Sequence, residues 1–350
     1  MTELSSLDDL KHYHFSKKKR SFLIIALTVL ALFLTFMATL MIGNYAVSWN
    51  DVIGILMGGG TSAERQIIMD IRMPRLLCAA LVGAALSLSG LAMQSLFKNP
   101  MASPSILGIS SGAAFGASLA ISFGIGAAVL GSYSIPFMAF VFCFVTMGAV
   151  YIIARTKYGV ATVTLLLAGV AVGAFFNGLV SLVQYIADEE TLAAIVYWTM
   201  GSFNKCVWDS FYLAVVPVVL GIAIILFRSR ELNMISAGEE QAANMGVNVK
   251  LTRILVITGT SLCVGGSVAI SGTIGFVGLI VPHIFRMLVG PNHKLLIPLC
   301  ILGGAAFMMG IDTISKAAFS VSIPVGILTS LLGAPFFIYV MKTRKKEMWE

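Results

Sequence analysis

About ten runs of predominantly apolar residues succeed one another along this chain, most of them near the ~20 residues that a helix needs to cross a bilayer. Inside lipid no water pairs with a bare N–H or C=O, so each run must close its own backbone hydrogen bonds, which for a single segment means a helix. The pattern therefore predicts an all-α, polytopic membrane protein. Spans fall near 21–42, 76–96, 105–124, 136–154, 160–184, 210–228, 251–271, 276–289, 295–311 and 324–341. The run at 276–289 is short and holds Pro282, so it reads as a broken or partial span. Composition agrees: 58% of residues are hydrophobic and 11% charged, against about 25% charged in soluble domains. The many Gly (34) suit close-packed membrane helices.

The basic cluster Lys17, Lys18, Lys19 and Arg20 precedes an apolar run too long for a signal-peptide core, so residues 1–20 read as a cytosolic tail before a first span. Residues 21–342 form the membrane domain, with a polar region at 229–250, and 343–350 form a second tail. With sides alternating at each span, all but five of the 23 Lys and Arg fall on the side of the N-terminus, while the 16 Asp and Glu divide evenly. Cytosolic loops collect Lys and Arg, so this split supports both the ten crossings and cytosolic termini in a cell membrane. The five exceptions are Arg65, Arg72, Arg75, Lys205 and Lys316.

No Asp, Glu, Lys or Arg stands at the middle of a span, which counts against an ion-coupled carrier needing a titratable group at that depth. No G-x-x-x-x-G-K-[ST] loop is present, so an ATP-driven process would need its nucleotide, with Mg²⁺, in a partner subunit. The spans hold no Ser/His or His/Asp/Glu constellation, so the chain is expected to be non-catalytic. The scattered Cys78, Cys143, Cys206, Cys263 and Cys300 show neither disulfide nor metal spacing. His283 and Arg286 share a helical face without completing a metal set and read as caps for carbonyls freed around Pro282. Neither a metal, a cofactor nor a nucleic-acid partner is expected for this chain.

Two helices carry small-residue strips, Gly108, Gly112 and Gly116 on one and Gly169 and Gly173 on another, which read as packing faces. On the second, Gly173, Asn177, Ser181 and Gln184 also fall on one face. Polar groups pointing at lipid are costly, so this stripe faces either a water-accessible conduit or hydrogen-bonding neighbours. Arg72 and Arg75 in "IRMPR" sit on the side where basic residues are under-used, with Arg75 near a helix N-terminus that disfavours positive charge. Snorkelling to headgroups or docking to an acidic partner would offset that cost. In "GEEQAANMG", Glu239, Glu240, Gln241 and Asn244 surround Ala242 and Ala243 between Gly238 and Gly246, a short polar helix that Gly246 can end in a left-handed cap.

"IRMPRLLCAALVGAALSLSGLAMQSLFKNPMASPSILGISSGAAFGA" resembles the first signature block of the permeases of type II ABC importers, the FecCD-like group that moves ferric siderophores, haem and cobalamin. "ELNMISAGEEQAANMGVNV", "SGTIGFVGLIVPHIFRMLVGPNHK" and "IPVGILTSLLGAPFFIYVMK" resemble its later blocks in the same order. The resemblance runs from Arg72 to the last span and omits the first 20 residues and the stretch from Asn44 to Asp70. It implies a ten-helix subunit paired through a two-fold axis, two cytosolic ATPase subunits beneath and an external substrate-binding protein above. Gly238, Glu239, Glu240, Ala242, Ala243 and Gly246 would then belong to the helix that couples to the ATPase. Arg72, Arg75 and Lys316 would meet carboxylates of the binding protein, with Lys316 where the family usually has Arg. A family Glu before the final Pro-Val-Gly is replaced near Ser322 or Ile323. Asn99, Met101 and Thr162 would form a cytosolic gate. Iron chelates are the cargo the resemblance implies most often, with corrinoids as the alternative.

Overall fold

The computed structural model describes residues 7–43, 45, 47–156, 159–160, 162–318 and 322–344. Among them the chain forms sixteen α-helices: α1 (Leu7–Met41), α2 (Trp49–Leu56), α3 (Ser62–Gln66), α4 (Met73–Leu96), α5 (Ile109–Phe123), α6 (Ala127–Leu130), α7 (Ser134–Ala154), α8 (Thr162–Ile186), α9 (Glu189–Thr199), α10 (Trp208–Phe227), α11 (Ser229–Ala237), α12 (Glu239–Asn244), α13 (Val249–Ser271), α14 (Val277–Val289), α15 (His293–Ala317) and α16 (Val325–Arg344). A two-residue antiparallel pairing, Arg155–Thr156 with Gly159–Val160, joins α7 to α8. Seven helical rods are long and apolar enough to cross a membrane, and α5, α14 and α16 are shorter apolar helices. These occupy the ten positions expected from the sequence.

Burial orders the bundle. α4 lies at its centre against α10, α13, α14 and α15, with 83% of its apolar window buried, whereas only 17% of the window in α1 is covered. Small residues set this arrangement. A Cβ on Gly83 would lie 2.1 Å from the Gly304 carbonyl oxygen, and one on Gly304 would lie 2.3 Å from that of Gly83. The backbones of α4 and α15 therefore touch, which supplies the packing that drives helix association where lipid offers no hydrophobic gain. A second layer of α5, α7 and α8 leans on this centre through α13, with Gly112 against Thr146 of α7.

Three local expectations are corrected. First, α4 does not start near Arg75: a π-helical turn, Ile67–Arg72, joins α3 to α4, so one rod runs from Ser62 to Leu96. Its true start carries a capping box in which Thr61 and Glu64 bond each other's backbone N–H. Arg72 and Arg75 thus lie inside a helix and do not oppose the macrodipole at its N-terminus. Second, Gly108 is not within α5 but precedes it with φ +72°, while Gly112 and Gly116 are helical. Third, Pro282 does not break its span, because α14 runs through it; with 13 residues α14 is nevertheless the partial span expected. The carbonyl that a proline strands is the one four residues earlier, on Gly278, and it accepts a hydrogen bond from Gln94 Nε2 at 3.1 Å. The connection from α13 to α14 at 272–276 turns sharply, with Gly272 and Phe276 at positive φ.

Candidate functional site

At one end of the α4–α15 pair three charged side chains converge. Arg75 donates from Nε to both oxygens of Asp312 (3.1 and 3.0 Å) and from a terminal nitrogen to one of them (2.7 Å). Lys316, one turn after Asp312 on α15, reaches its other oxygen at 2.7 Å. Asp312 is fully buried, and Arg75 and Lys316 are 14% and 13% exposed. One carboxylate thus balances two cations, leaving the cluster one positive charge in excess. Arg72 is buried and donates to the carbonyls of Leu40 and Tyr45, so it clasps the end of α1 and the segment after it. Of the three basic residues singled out as outward-facing, two share Asp312 and the third is held on backbone.

At the opposite end α11 and α12 form an arm. Leu232, Ile235 and Ala242 are buried, whereas Glu240, Gln241, Ala243 and Asn244 are exposed. Ala242 therefore anchors the arm to its own subunit, and Ala243 with the polar residues forms the free face. Glu239 pairs with Arg253 of α13 at 2.7 Å, which ties the first turn of α12 to the next span. Gly238 enters the helix in an extended conformation, and Gly246 ends it at φ +86°. The N–H of Gly246 bonds the Ala243 carbonyl and that of Val247 bonds the Ala242 carbonyl, the Schellman pattern. So small an element keeps its direction because both ends are fixed.

α4 also terminates at this end. Lys98 takes φ +48°, Asn99 N–H returns to the Gln94 carbonyl, and Asn99 Oδ1 accepts the N–H of Met101 at 2.9 Å. Asn99 and Met101 therefore form one compact turn, with Met101 exposed. The 3₁₀ turn Pro104–Leu107 and Gly108 that follow lie directly on α8, where a Cβ on Gly169 would meet the backbone of Leu107 at 2.7 Å. Gly169 and Gly173 of the second strip thus meet the backbone at 106–108, whereas Gly112 and Gly116 of the first pack on α7. α8 begins at Thr162, whose side chain lies outside the described residues.

The stripe on α8 divides. Gly173 is buried against Gly108, so it serves packing. Asn177 and Ser181 are exposed and Gln184 half-exposed, among exposed Phe175, Leu182 and Tyr185. Ser181 Oγ donates to the backbone carbonyl of Asn177 in its own helix, and Asn177 itself is exposed. Among the described residues no three of His, Cys, Asp and Glu come together as metal ligands would.

The model of the FecCD transport family matches residues 30–343, almost the whole membrane domain. The chain belongs to that family. As a FecCD protein it is a permease subunit of a type II ABC importer. It is 39% identical to the molybdate import system permease protein MolB of Haemophilus influenzae, over 94% of this chain and 98% of that one. It is 35% identical to the hemin transport system permease protein HmuU of Yersinia pestis, over 93% and 96%. A solved structure described as an inward-facing conformation of the metal-chelate type of ABC transporter superposes with a TM-score of 0.82 at 39% identity, covering 91% of this chain and 99% of that one.

Among the described residues the geometry offers three candidate elements: a charged cluster at one end of the bundle, a polar helix face and a braced arm at the opposite end. Asp312 is the residue that sequence reasoning missed in the cluster. Its spacing of four from Lys316 within an apolar helix was visible, but its pairing with Arg75 spans 237 positions.

Proposed function

We propose that this permease, as two copies around a two-fold axis, forms the route by which an iron chelate (a ferric siderophore or haem) enters the cytosol. Two ATPase subunits that bind ATP and Mg²⁺ drive it from below, and an external binding protein delivers the cargo. The observation that carries this reading is the exposed Asn177–Ser181 face on α8. At membrane depth such a face must meet protein or water, and a second copy supplies both by enclosing a route between the subunits. A lining without fixed charge passes a cargo whose metal is wrapped in organic ligand. Of the relatives named above, the hemin permease and the metal-chelate transporter support that class, whereas the molybdate permease does not.

The arm supplies the energy link. With the basic segments in the cytosol, the free face of α12 meets the ATPase, and its fixed ends pass the closure of that partner to α11 and α13. Glu239, Glu240, Ala243 and Gly246 shape this contact, while Gly238 and Ala242 seat it. Asn99, Met101 and Thr162 close the route on the cytosolic side. On the outer side Arg75 and Lys316, backed by Arg72, offer their excess positive charge to acidic residues of the binding protein.

Ala243→Arg tests the coupling step. It places a bulky cation on the exposed face without disturbing the buried Ala242, so the permease should fold normally but fail to co-purify with its ATPase. Retained assembly and normal uptake would contradict the coupling role. Metal analysis of the loaded binding protein tests the cargo. Iron with an organic chelator is expected, and cobalt in a corrin or molybdenum would replace the iron reading.

A further inference from the structure

We propose that α4 and α15 move as a single lever through the membrane and that Asn233 of the arm grips this lever at its inner end. The inference rests on the reading of α12 as the ATPase contact and adds how motion leaves the arm. Asn233 Oδ1 accepts two hydrogen bonds from one residue, His293, from its backbone N at 3.0 Å and its ring Nδ1 at 2.7 Å. His293 is the first residue of α15, and its Nε2 lies 2.6 Å from Ser95 Oγ in the last turn of α4. Both His293 and Ser95 are buried. A single imidazole therefore joins α11, α15 and α4.

Because the backbone N–H of His293 fixes Asn233 as the acceptor, Nδ1 carries the ring proton. Ser95 Oγ, in contact with Nε2, also lies 2.8 Å from the Leu91 carbonyl of its own helix, so its single proton is shared between two acceptors. The lever itself is clamped at three heights: Ser95–His293 at the inner end, the Gly83–Gly304 backbone contact in the middle, and Arg75–Asp312 at the outer end. Packed helices held so closely shift as a body rather than bend.

Two consequences follow from where the lever's ends lie. Its inner end runs directly into the turn of Asn99 and Met101, and its outer end carries Arg75 and Lys316. The gate segment and the docking cations therefore belong to one rigid body, so occupancy of the outer face reaches the arm through a side-chain contact. Asn233 and His293 act through other groups and are positioning residues.

The test uses the complete complex of permease, ATPase and binding protein, and reads how far the loaded binding protein stimulates ATP hydrolysis. Asn233→Ala should still co-purify with the ATPase but lose roughly tenfold in stimulation, the range of a typical coupling between sites. His293→Asn, which keeps a donor near the Nδ1 position but cannot reach Ser95, should lose part of that stimulation. Unchanged stimulation in Asn233→Ala overturns the proposal. So does loss of ATPase binding, which would make Asn233 part of the ATPase seat. Failure of Ala243→Arg to disturb assembly would instead strike the coupling reading itself. Spin labels on the exposed sites Lys98→Cys and Lys294→Cys test the lever independently. Their separation should shift by less than about 2 Å between nucleotide states, the scale of small interface adjustments, and a larger change would separate the two helices and overturn the proposal.

Discussion

Asp312→Asn is the sharpest single perturbation of this fold. The carboxylate is fully buried and takes three hydrogen bonds from Arg75 and an ion pair from Lys316, each cation itself mostly buried. Neutralising it leaves two cations without a counter-charge. Removing one partner of a buried ion pair costs about 3–5 kcal/mol, because the other is left uncompensated. The Asn oxygen still accepts one of the lost bonds, which returns about 1 kcal/mol. The expected net loss is about 2–4 kcal/mol. At roughly 2 °C per kcal/mol for a chain of this size, the purified permease should unfold about 4–8 °C lower. The assay is thermal unfolding in detergent, followed by loss of the monodisperse peak. Asp312→Asn combined with Lys316→Met removes one of the orphaned cations and should recover about 1–2 kcal/mol of the loss, the size of coupling expected between contacting residues. A single variant within about 1 °C of the parent, or a double variant no better than the single, would refute the reasoning.

Other perturbations follow the same logic. Gly304→Val places a Cβ 2.3 Å from the Gly83 carbonyl and should abolish folded yield in a membrane extraction, whereas Gly148→Ala, which meets nothing within 4 Å, should be silent. Gly246→Val forces a β-branched residue into φ +86° at a cost of ~1–2 kcal/mol, so the arm should fray and ATPase co-purification weaken while the spans stay folded. Asn177→Leu with Ser181→Leu removes no buried contact, so folded yield should hold while uptake is lost. Unimpaired uptake would count against a route along α8.

The spans were legible because crossing lipid is a local requirement, met by the length and composition of each run separately. Lateral partnership is not local, and there the reading stopped short. Asn233 and His293 lie 60 positions apart and Arg75 and Asp312 lie 237 apart, so neither junction shows in any window of sequence. Pro282 misled because the cost of a helical proline depends on who takes the stranded carbonyl, and Gln94, 184 positions away from Gly278, does so. The glycines of α8 were legible as a packing strip, but the partner surface, the backbone at 106–108, had been read as part of a straight helix. Within the arm, Gly246 as a left-handed cap was predictable from residue type alone. The burial of Ala242 and exposure of Ala243 was not, because it depends on which side of a six-residue helix meets the bundle.

The claim beneath all of this is that the chain opens and closes a route but draws its energy from a separate subunit. Uptake into vesicles is the direct measurement, with radio-iron chelate presented by the binding protein and the ATPase on the opposite face. Accumulation should require ATP and the ATPase together, and should vanish in vesicles holding this chain alone. Uphill accumulation by the chain alone on an imposed ion gradient would contradict the account.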